Sequence, residues 1–320
     1  MQEGESYISY LQSEKAQAVF RLSQAVMDSL RTYLDGRGFV EFLAPVVSSV
    51  TDPGLRGAER VPVLLYDRKA YVTSSMVFHK QVLATAFRRI YAFAPNVRLE
   101  PLCNAASGRH LVEFCQLDLE EADATSEDSM SLAEDMLRQT ISCVLAGCGP
   151  LLSTLNRDLL VPETPFRRIR YSDLIRMAES MGAPFKYGEE LPQAVESRVS
   201  AELGGFFWIT DYPKQCRGFY YRESGAGDTV RSMDLVYPEG FGEAISGGER
   251  EYRPDSIRRR IVESGLDAAD FNEFLDMAKT GLSPSSGFGI GVERLVRYVS
   301  GVREIACVRA FPKMPGTVSM

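Results

Sequence analysis

Residues 285–298 read S-S-G-F-G-I-G-V-E-R-L-V-R-Y, and no other stretch limits the fold so sharply. Gly287, Gly289 and Gly291 alternate, so one face of an extended strand here carries no side chains. A flat ligand can lie against such a face. After Gly291 the period changes, and Val292, Leu295, Val296 and Val299 recur at helical spacing. A strand must therefore run straight into a helix, with Arg294 in that helix's first turn. Backbone N–H groups and the helix dipole favour an anion there, so the arginine adds to a phosphate site. The pattern is not the G-x-G-x-x-G dinucleotide fingerprint, and no acidic ribose partner follows about 20 residues later.

The rest of the chain supplies a sheet for this strand. Val19, Leu22, Val26, Leu30 and Leu34 predict a helix over 14–34, stopped by Gly36 and Gly38. F-V-E-F-L-A-P-V-V-S reads as a strand whose Pro45 confines it to an edge or bulge. Residues 75–88 suggest a second helix, carrying His79 and Lys80. Strands follow at I-Y-A-F-A-P, at V-R-L-E and at L-V-E-F-C-Q-L-D-L-E. A helix over 126–146 starts at Ser126 as cap and stops at Gly147. Residues 148–205 are less regular, apart from a helix at S-D-L-I-R-M-A-E-S-M-G. Strands return at F-F-W-I-T-D-Y, S-M-D-L-V-Y-P and G-E-A-I-S-G-G-E-R-E, and helices at 255–263 and 269–279 lead into the glycine strand. Helices precede, interrupt and close a sheet whose links are mostly hairpin-like. This is α+β with a mainly antiparallel sheet, read as a single domain over 1–320.

Charge and cysteines narrow the function. The 320 residues carry a net charge of −7, which gives no general basic footprint for nucleic acid. Six cysteines form no C-x-x-C and only two histidines are present, so free thiols fit better than a zinc site. The segment MQEGESYISYLQSEK shows no signal pattern, and no apolar run spans a bilayer; the expectation is a cytoplasmic protein with no membrane partner.

Several residues carry chemistry. On the strand 111–120, Leu111, Glu113, Cys115, Leu117 and Leu119 share one face, while Val112, Phe114, Gln116, Asp118 and Glu120 share the other. The second face lines up an aromatic ring, an amide and two acids; it is equally readable as a solvated face of an antiparallel sheet. Arg98 and Glu100 alternate as R-x-E. An arginine for a phosphate or carboxylate, an acid for an amine and a ring for a base together suit a nucleotide. Glu243 and Ser246 are hard oxygen ligands suitable for Mg2+. Trp208 and Phe206–Phe207 read as core, Arg258–Arg260 as a solvated helix face, and His79 as packing or substrate contact.

These segments resemble the catalytic core of class II aminoacyl-tRNA synthetases of the aspartyl/asparaginyl subgroup. G-F-V-E-F-L-A-P-V-V-S resembles motif 1, V-R-L-E with R-H-L-V-E-F resembles motif 2, and G-F-G-I-G-V-E-R-L-V-R resembles motif 3. W-I-T-D-Y-P, R-G-F-Y, D-L-V-Y-P and S-G-G-E-R-E follow the subgroup pattern between them. The resemblance implies ATP and Mg2+ as cofactors and a homodimer through motif 1. It implies that Arg98 grips the α-phosphate and the activated carboxylate. Phe114 would stack on adenine with Arg294 beyond it, and Glu100 would read the adenine amine. Arg109 and His110 would reach the outer phosphates, Glu243 and Ser246 would hold Mg2+, and Gly289 and Gly291 would line the nucleotide. Lys80 and Arg250 match the pair that holds an aspartate carboxylate, with Ser75, Gln116, Asp118 and Gly247 nearby.

Departures from the subgroup shape the expected activity. Only about a dozen residues precede the motif 1 helix, where these synthetases carry an anticodon-binding barrel. S-P-Q-x-x-K-Q is S-M-V-F-H-K-Q, with Val77 replacing a glutamine, and F-P-R is F-P-K at Lys313. These features are similar to the archaeal-type asparagine synthetases without anticodon domain. They imply that aspartate is adenylated and passed to ammonia or another amine, with no tRNA partner. Three alternatives stand beside this: a truncated aspartyl/asparaginyl-tRNA synthetase, an amide-forming ligase for another acid or amine, and a non-catalytic regulatory paralogue.

Overall fold

The computed structural model describes residues 7–54, 57–225 and 227–317. Helix α1 (Tyr7–Gln12) leads into α2 (Glu14–Asp35), whose Ser13 cap accepts the Ala16 N–H. Pro45 divides the expected motif 1 strand. The first part is β1 (Val40–Glu41) and the second β2 (Val47–Ser48), and they join different sheets, since proline cannot donate to a ladder. The hairpin β3 (Val61–Leu65) and β4 (Arg68–Val72) completes a small sheet with β2. Next come α3 (Val77–Phe87), β5 (Arg89–Val97) and β6 (Glu113–Ala122).

Helix α4 (Ser126–Gly147) is capped by Thr125 rather than Ser126. Thr125 and Asp128 exchange side-chain and backbone hydrogen bonds in a capping box, which Ser126 stands one residue too late to form. In the stretch expected to be less regular, α5 (Gly149–Thr154) and β7 (Arg167–Arg170) come first, the helix expected at S-D-L-I-R-M-A-E-S-M-G is α6 (Tyr171–Ser180), and α7 (Gln193–Leu203) follows it. The chain then forms β8 (Phe207–Thr210), β9 (Ser232–Tyr237), β10 (Gly242–Glu249), α8 (Pro254–Glu263), α9 (Asn272–Gly281), β11 (Ser285–Gly291) and α10 (Val292–Ser300).

The large sheet runs β1-β5-β6-β11-β10-β9-β8-β7. Only its two edges are parallel, β1 with β5 and β7 with β8; every inner pair is antiparallel. The architecture is α+β, an antiparallel sheet flanked by helices. Helices α2, α4 and α10 cover one face through Leu22, Val26, Leu30, Leu137, Ile141, Leu295 and Val296, against Leu117 and Leu119 of β6. Each buried aliphatic side chain of this kind contributes about 1.5–3 kcal/mol. On the opposite face of β6, Asp118 at 2 % and Glu120 at 0 % exposure are closed to solvent, while Phe114 and Gln116 are partly exposed. At those two acids it is therefore no solvated face. Trp208 and the adjacent phenylalanines are core, as expected. Among the described residues no helix is long and apolar enough to cross a membrane.

Candidate active site

β6 orders the site along its length. Phe114, Gln116, Asp118 and Glu120 face one way, and successive members are about 7 Å apart. Each has a basic or amide neighbour from another element. The Arg98 guanidinium lies 5.1 Å from the Phe114 ring and donates to Gln116 Oε1 at 3.5 Å and to the Ser74 carbonyl at 3.0 Å. Lys80, from α3, donates to Asp118 at 2.6 Å and to the Phe288 carbonyl at 3.0 Å. Arg250 forks onto Glu120 at 3.1–3.2 Å and donates to the Gly287 carbonyl at 2.9 Å.

A single cavity collects Ser75, Lys80, Arg98, Glu100, Arg109, His110, Phe114, Gln116, Asp118, Glu243, Ser246, Arg250, Gly289, Gly291 and Arg294. Gly247 does not line it. A Cβ there would meet the Gly287 carbonyl at 2.5 Å, so glycine at 247 serves the close approach of β10 to β11. Gly287 likewise lies outside the cavity: its missing side chain makes room for Leu119 and Glu120, not for a ligand. Arg98 and Glu100 are not on a strand. They follow β5 in a short link where only Leu99 bridges, to Glu59. Both still reach the cavity because the Arg98 N–H is fixed to the Val112 carbonyl at 2.9 Å.

Glu243 and Ser246 are three apart, which on a regular strand would send them to opposite faces. A register shift between Glu243 and Ile245 in the pairing with β9 restores a common face. Glu243 accepts from Arg294 at 3.2 Å. One carboxylate and one hydroxyl suit Mg2+, which keeps waters and takes phosphate oxygens for the rest of its shell. No larger His/Cys/Asp/Glu cluster is present among the described residues.

The inner end is a buried, charge-matched network. Burial pulls the Lys80 ammonium below its usual pKa, against the pull of Asp118. Burial acts the same way on Arg250, but Glu120, Tyr221 and Tyr220 together outweigh it and hold the guanidinium charged. Asp118 Oδ2 is buried without a hydrogen-bond partner. Three wall residues had no assigned role in the sequence reading. Arg217 pairs with Asp234 and stacks 3.5 Å from Tyr212. Tyr220 donates to Asp52. The tell-tale segment was R-G-F-Y-Y, an arginine beside two tyrosines; Asp52, in T-D-P-G, reads only as a turn. His79 stays outside the cavity and bonds to Ser48 at 3.0 Å. Arg259 is ion-paired and half-exposed as expected, but Arg260 is buried and donates to the Lys214 carbonyl at 3.1 Å.

An antiparallel sheet with the glycine strand beside β6, entered from α3 and closed by α10, is the catalytic core of a class II synthetase. The structure of asparaginyl-tRNA synthetase from Pyrococcus horikoshii, complexed with asparaginyl-adenylate, superposes with a TM-score of 0.91 at 29% identity, covering 98% of this chain and 72% of that one. Residues 3–315 match the tRNA synthetases class II (D, K and N), and the chain belongs to that family. It is 34% identical over 306 residues to the aspartate–tRNA(Asp/Asn) ligase of Methanopyrus kandleri, covering 95% of this chain and 69% of the relative. It is 32% identical over 329 residues to the asparagine–tRNA ligase of Rhodopirellula baltica, covering 93% and 66%. The chain thus spans about two thirds of these relatives.

These relatives overturn two expectations. Ammonia-dependent asparagine synthesis, and the absence of a tRNA partner, find no support: the relatives are tRNA ligases. The physical reason is that the residues legible in sequence were matched only to ATP and an acid, and activation of an acid by ATP is common to both reactions. What differs is the nucleophile that takes the acyl group, and none of those residues specifies it.

Proposed function

We propose that this chain adenylates aspartate with ATP and transfers the aspartyl group to the 3′ end of a tRNA. The observation that carries the reading is the order along β6: an aromatic ring, then Arg98, then the buried cations Lys80 and Arg250. Phe114 would stack on adenine, with Glu100 at its amine and Gly289 and Gly291 leaving room beside it. The α-carboxylate would attack the α-phosphorus; a new P–O bond forms as the bond to the β-phosphate breaks and pyrophosphate leaves. No base is needed, because the nucleophile is already an anion. Arg98 would neutralise charge on the carboxylate and the phosphorus, and Arg294, Arg109 and His110 would face the leaving pyrophosphate. Glu243 and Ser246 would hold Mg2+, which neutralises phosphate charge when bound. The unpartnered Asp118 oxygen suits the substrate ammonium, with Ser75 and Gln116 beside it. The tRNA's terminal ribose hydroxyl would then attack the acyl carbon and release AMP.

A second reading, asparagine as the amino acid, is favoured by one observation: Lys80, Arg217 and Arg250 each already have an acid partner, so a neutral amide adds no unmatched charge. Exchange of labelled pyrophosphate into ATP separates the two. Aspartate-dependent exchange, together with aspartate-dependent charging of bulk tRNA, is the expected result. Exchange with asparagine alone selects the second reading. Exchange with neither amino acid refutes both.

A further inference from the structure

Arg109 reaches the cavity from the loop before β6, yet its partner lies behind it. Its Nη1 donates to Glu196 Oε1 of α7 at 2.5 Å. Glu196 is only 5 % exposed and does not line the cavity, so it cannot touch a ligand there. Gly242, the first residue of β10, stands where the pair passes. A Cβ on it would lie 2.4 Å from Arg109 Nη1 and 3.0 Å from Glu196 Oε1, and its φ of +87° independently favours glycine. One turn beyond Glu196, the Ser200 hydroxyl donates to the Tyr237 carbonyl at 2.9 Å and accepts from the Gly240 N–H at 3.2 Å. Helix α7 is thereby fastened to the turn between β9 and β10, and Glu196 is a fixed post.

The surrounding charge explains the need for a post. Arg109, Arg294, Arg297 and Arg303 crowd one end of the site. Burial, then Arg294, Arg109 and Arg303, depress the Arg297 guanidinium to about 10. Glu304 offsets part of that charge, with its carboxylate oxygens 3.0–3.1 Å from where a Cβ on Gly108 would stand, next to Arg109. Arg294 has Glu243, which faces the cavity and is thereby open to a ligand or metal. Glu196 instead is committed to Arg109 from the rear.

We propose that Glu196 is a positioning residue that holds Arg109 across the outer-phosphate end of the cavity. The proposal rests on the reading that Arg109 faces the triphosphate. The test is pyrophosphate exchange with the full chain, comparing Glu196→Ala, Glu196→Gln, Arg109→Ala and the double variant Glu196→Ala/Arg109→Ala. Glu196→Ala should raise KM for ATP roughly tenfold or more, the scale of a misplaced contact group, and leave KM for the amino acid unchanged. Glu196→Gln retains an acceptor and should recover most of the loss. In the Arg109→Ala background, removing Glu196 should add little. An undiminished Glu196→Ala effect in that background, or an unchanged KM for ATP, overturns the positioning role. An unchanged KM for ATP in Arg109→Ala itself overturns instead the underlying placement of Arg109. Thermal unfolding of each variant identifies any loss due to folding alone, for which Glu196→Gln serves as the milder probe.

Discussion

Gly287 and Gly289 share one face of β11, yet alanine at the two positions should do different damage. A Cβ on Gly287 would lie 2.2 Å from the Leu119 carbonyl oxygen and 2.8 Å from Glu120 Cα, both backbone atoms of the neighbouring strand. Relief requires β6 and β11 to part by more than an ångström, and β6 is also bound to β5 on its other side. Overpacking usually costs about 1–3 kcal/mol, and a backbone obstacle belongs at the upper end of that range or beyond it. The shift would also stretch the Arg250 bond to the Gly287 carbonyl. A Cβ on Gly289 instead meets Gln116 Nε2 at 2.6 Å and Asp118 Oδ1 at 3.0 Å, which are side-chain ends. They can swing aside, so stability should fall by less than about 1 kcal/mol. Gln116 accepts from Asn96 at 2.7 Å and from Arg98 at 3.5 Å, so its displacement moves Arg98, the residue proposed to neutralise the reacting carboxylate and phosphate. Amino-acid activation should drop by about 100-fold. Trp208, the chain's single tryptophan, is buried and donates to Glu134 at 2.8 Å, so its fluorescence reports the urea midpoint directly. Equal midpoint shifts for Gly287→Ala and Gly289→Ala, or a Gly287→Ala protein as stable as wild type, would refute the reasoning.

Other expectations follow from the same geometry. Glu120→Gln leaves Arg250 buried without its counter-charge and should cost about 3–5 kcal/mol in urea unfolding; adding Arg250→Met should restore much of that stability while abolishing activation. Thr125→Ala removes the capping box of α4 and should lower stability by about 1 kcal/mol, with the pyrophosphate-exchange rate unchanged. Burial, and then Glu293, push the Cys115 thiol up to about 12. Its neutral form is thus favoured by folding, a contribution present below the unfolded thiol pKa and lost as pH rises toward 12. Alkylation at pH 8 should therefore label the exposed Cys103 and Cys143 and spare Cys115, whose thiolate fraction is about 10⁻⁴. Rapid modification of Cys115 at that pH, read by peptide mass, contradicts the burial argument.

Periodicity and glycine spacing determined much of this protein without reference to contacts. The alternation of Gly287, Gly289 and Gly291 and the helical stripe after Gly291 are local, so strand β11 and helix α10 were legible at nearly their true bounds. The same holds for the two faces of β6, because side-chain direction alternates whatever the strand packs against. Locality also explains the misses. Thr125 rather than Ser126 caps α4 because a neighbouring Asp128 completes the box, a contest between adjacent residues that composition leaves even.

Only the tertiary structure decided what the polar face of β6 looks at. Asp118 and Glu120 could have faced water; Lys80 from α3 and Arg250 from beyond β10 turn them into buried ion pairs, and sequence separation carries no sign of that approach. The register shift at Ala244 sets Glu243 and Ser246 on one side, and the meeting of Arg109 with Glu196 joins a loop to a helix 87 residues away. The glycines divide in the same way: their absence of side chains was written in the sequence, but it took the packed sheet to give Gly247 and Gly287 to neighbouring strands and Gly289 and Gly291 to the cavity. Local rules fix which way a side chain points. What waits there depends on long-range packing, and that is where this site acquires its charge.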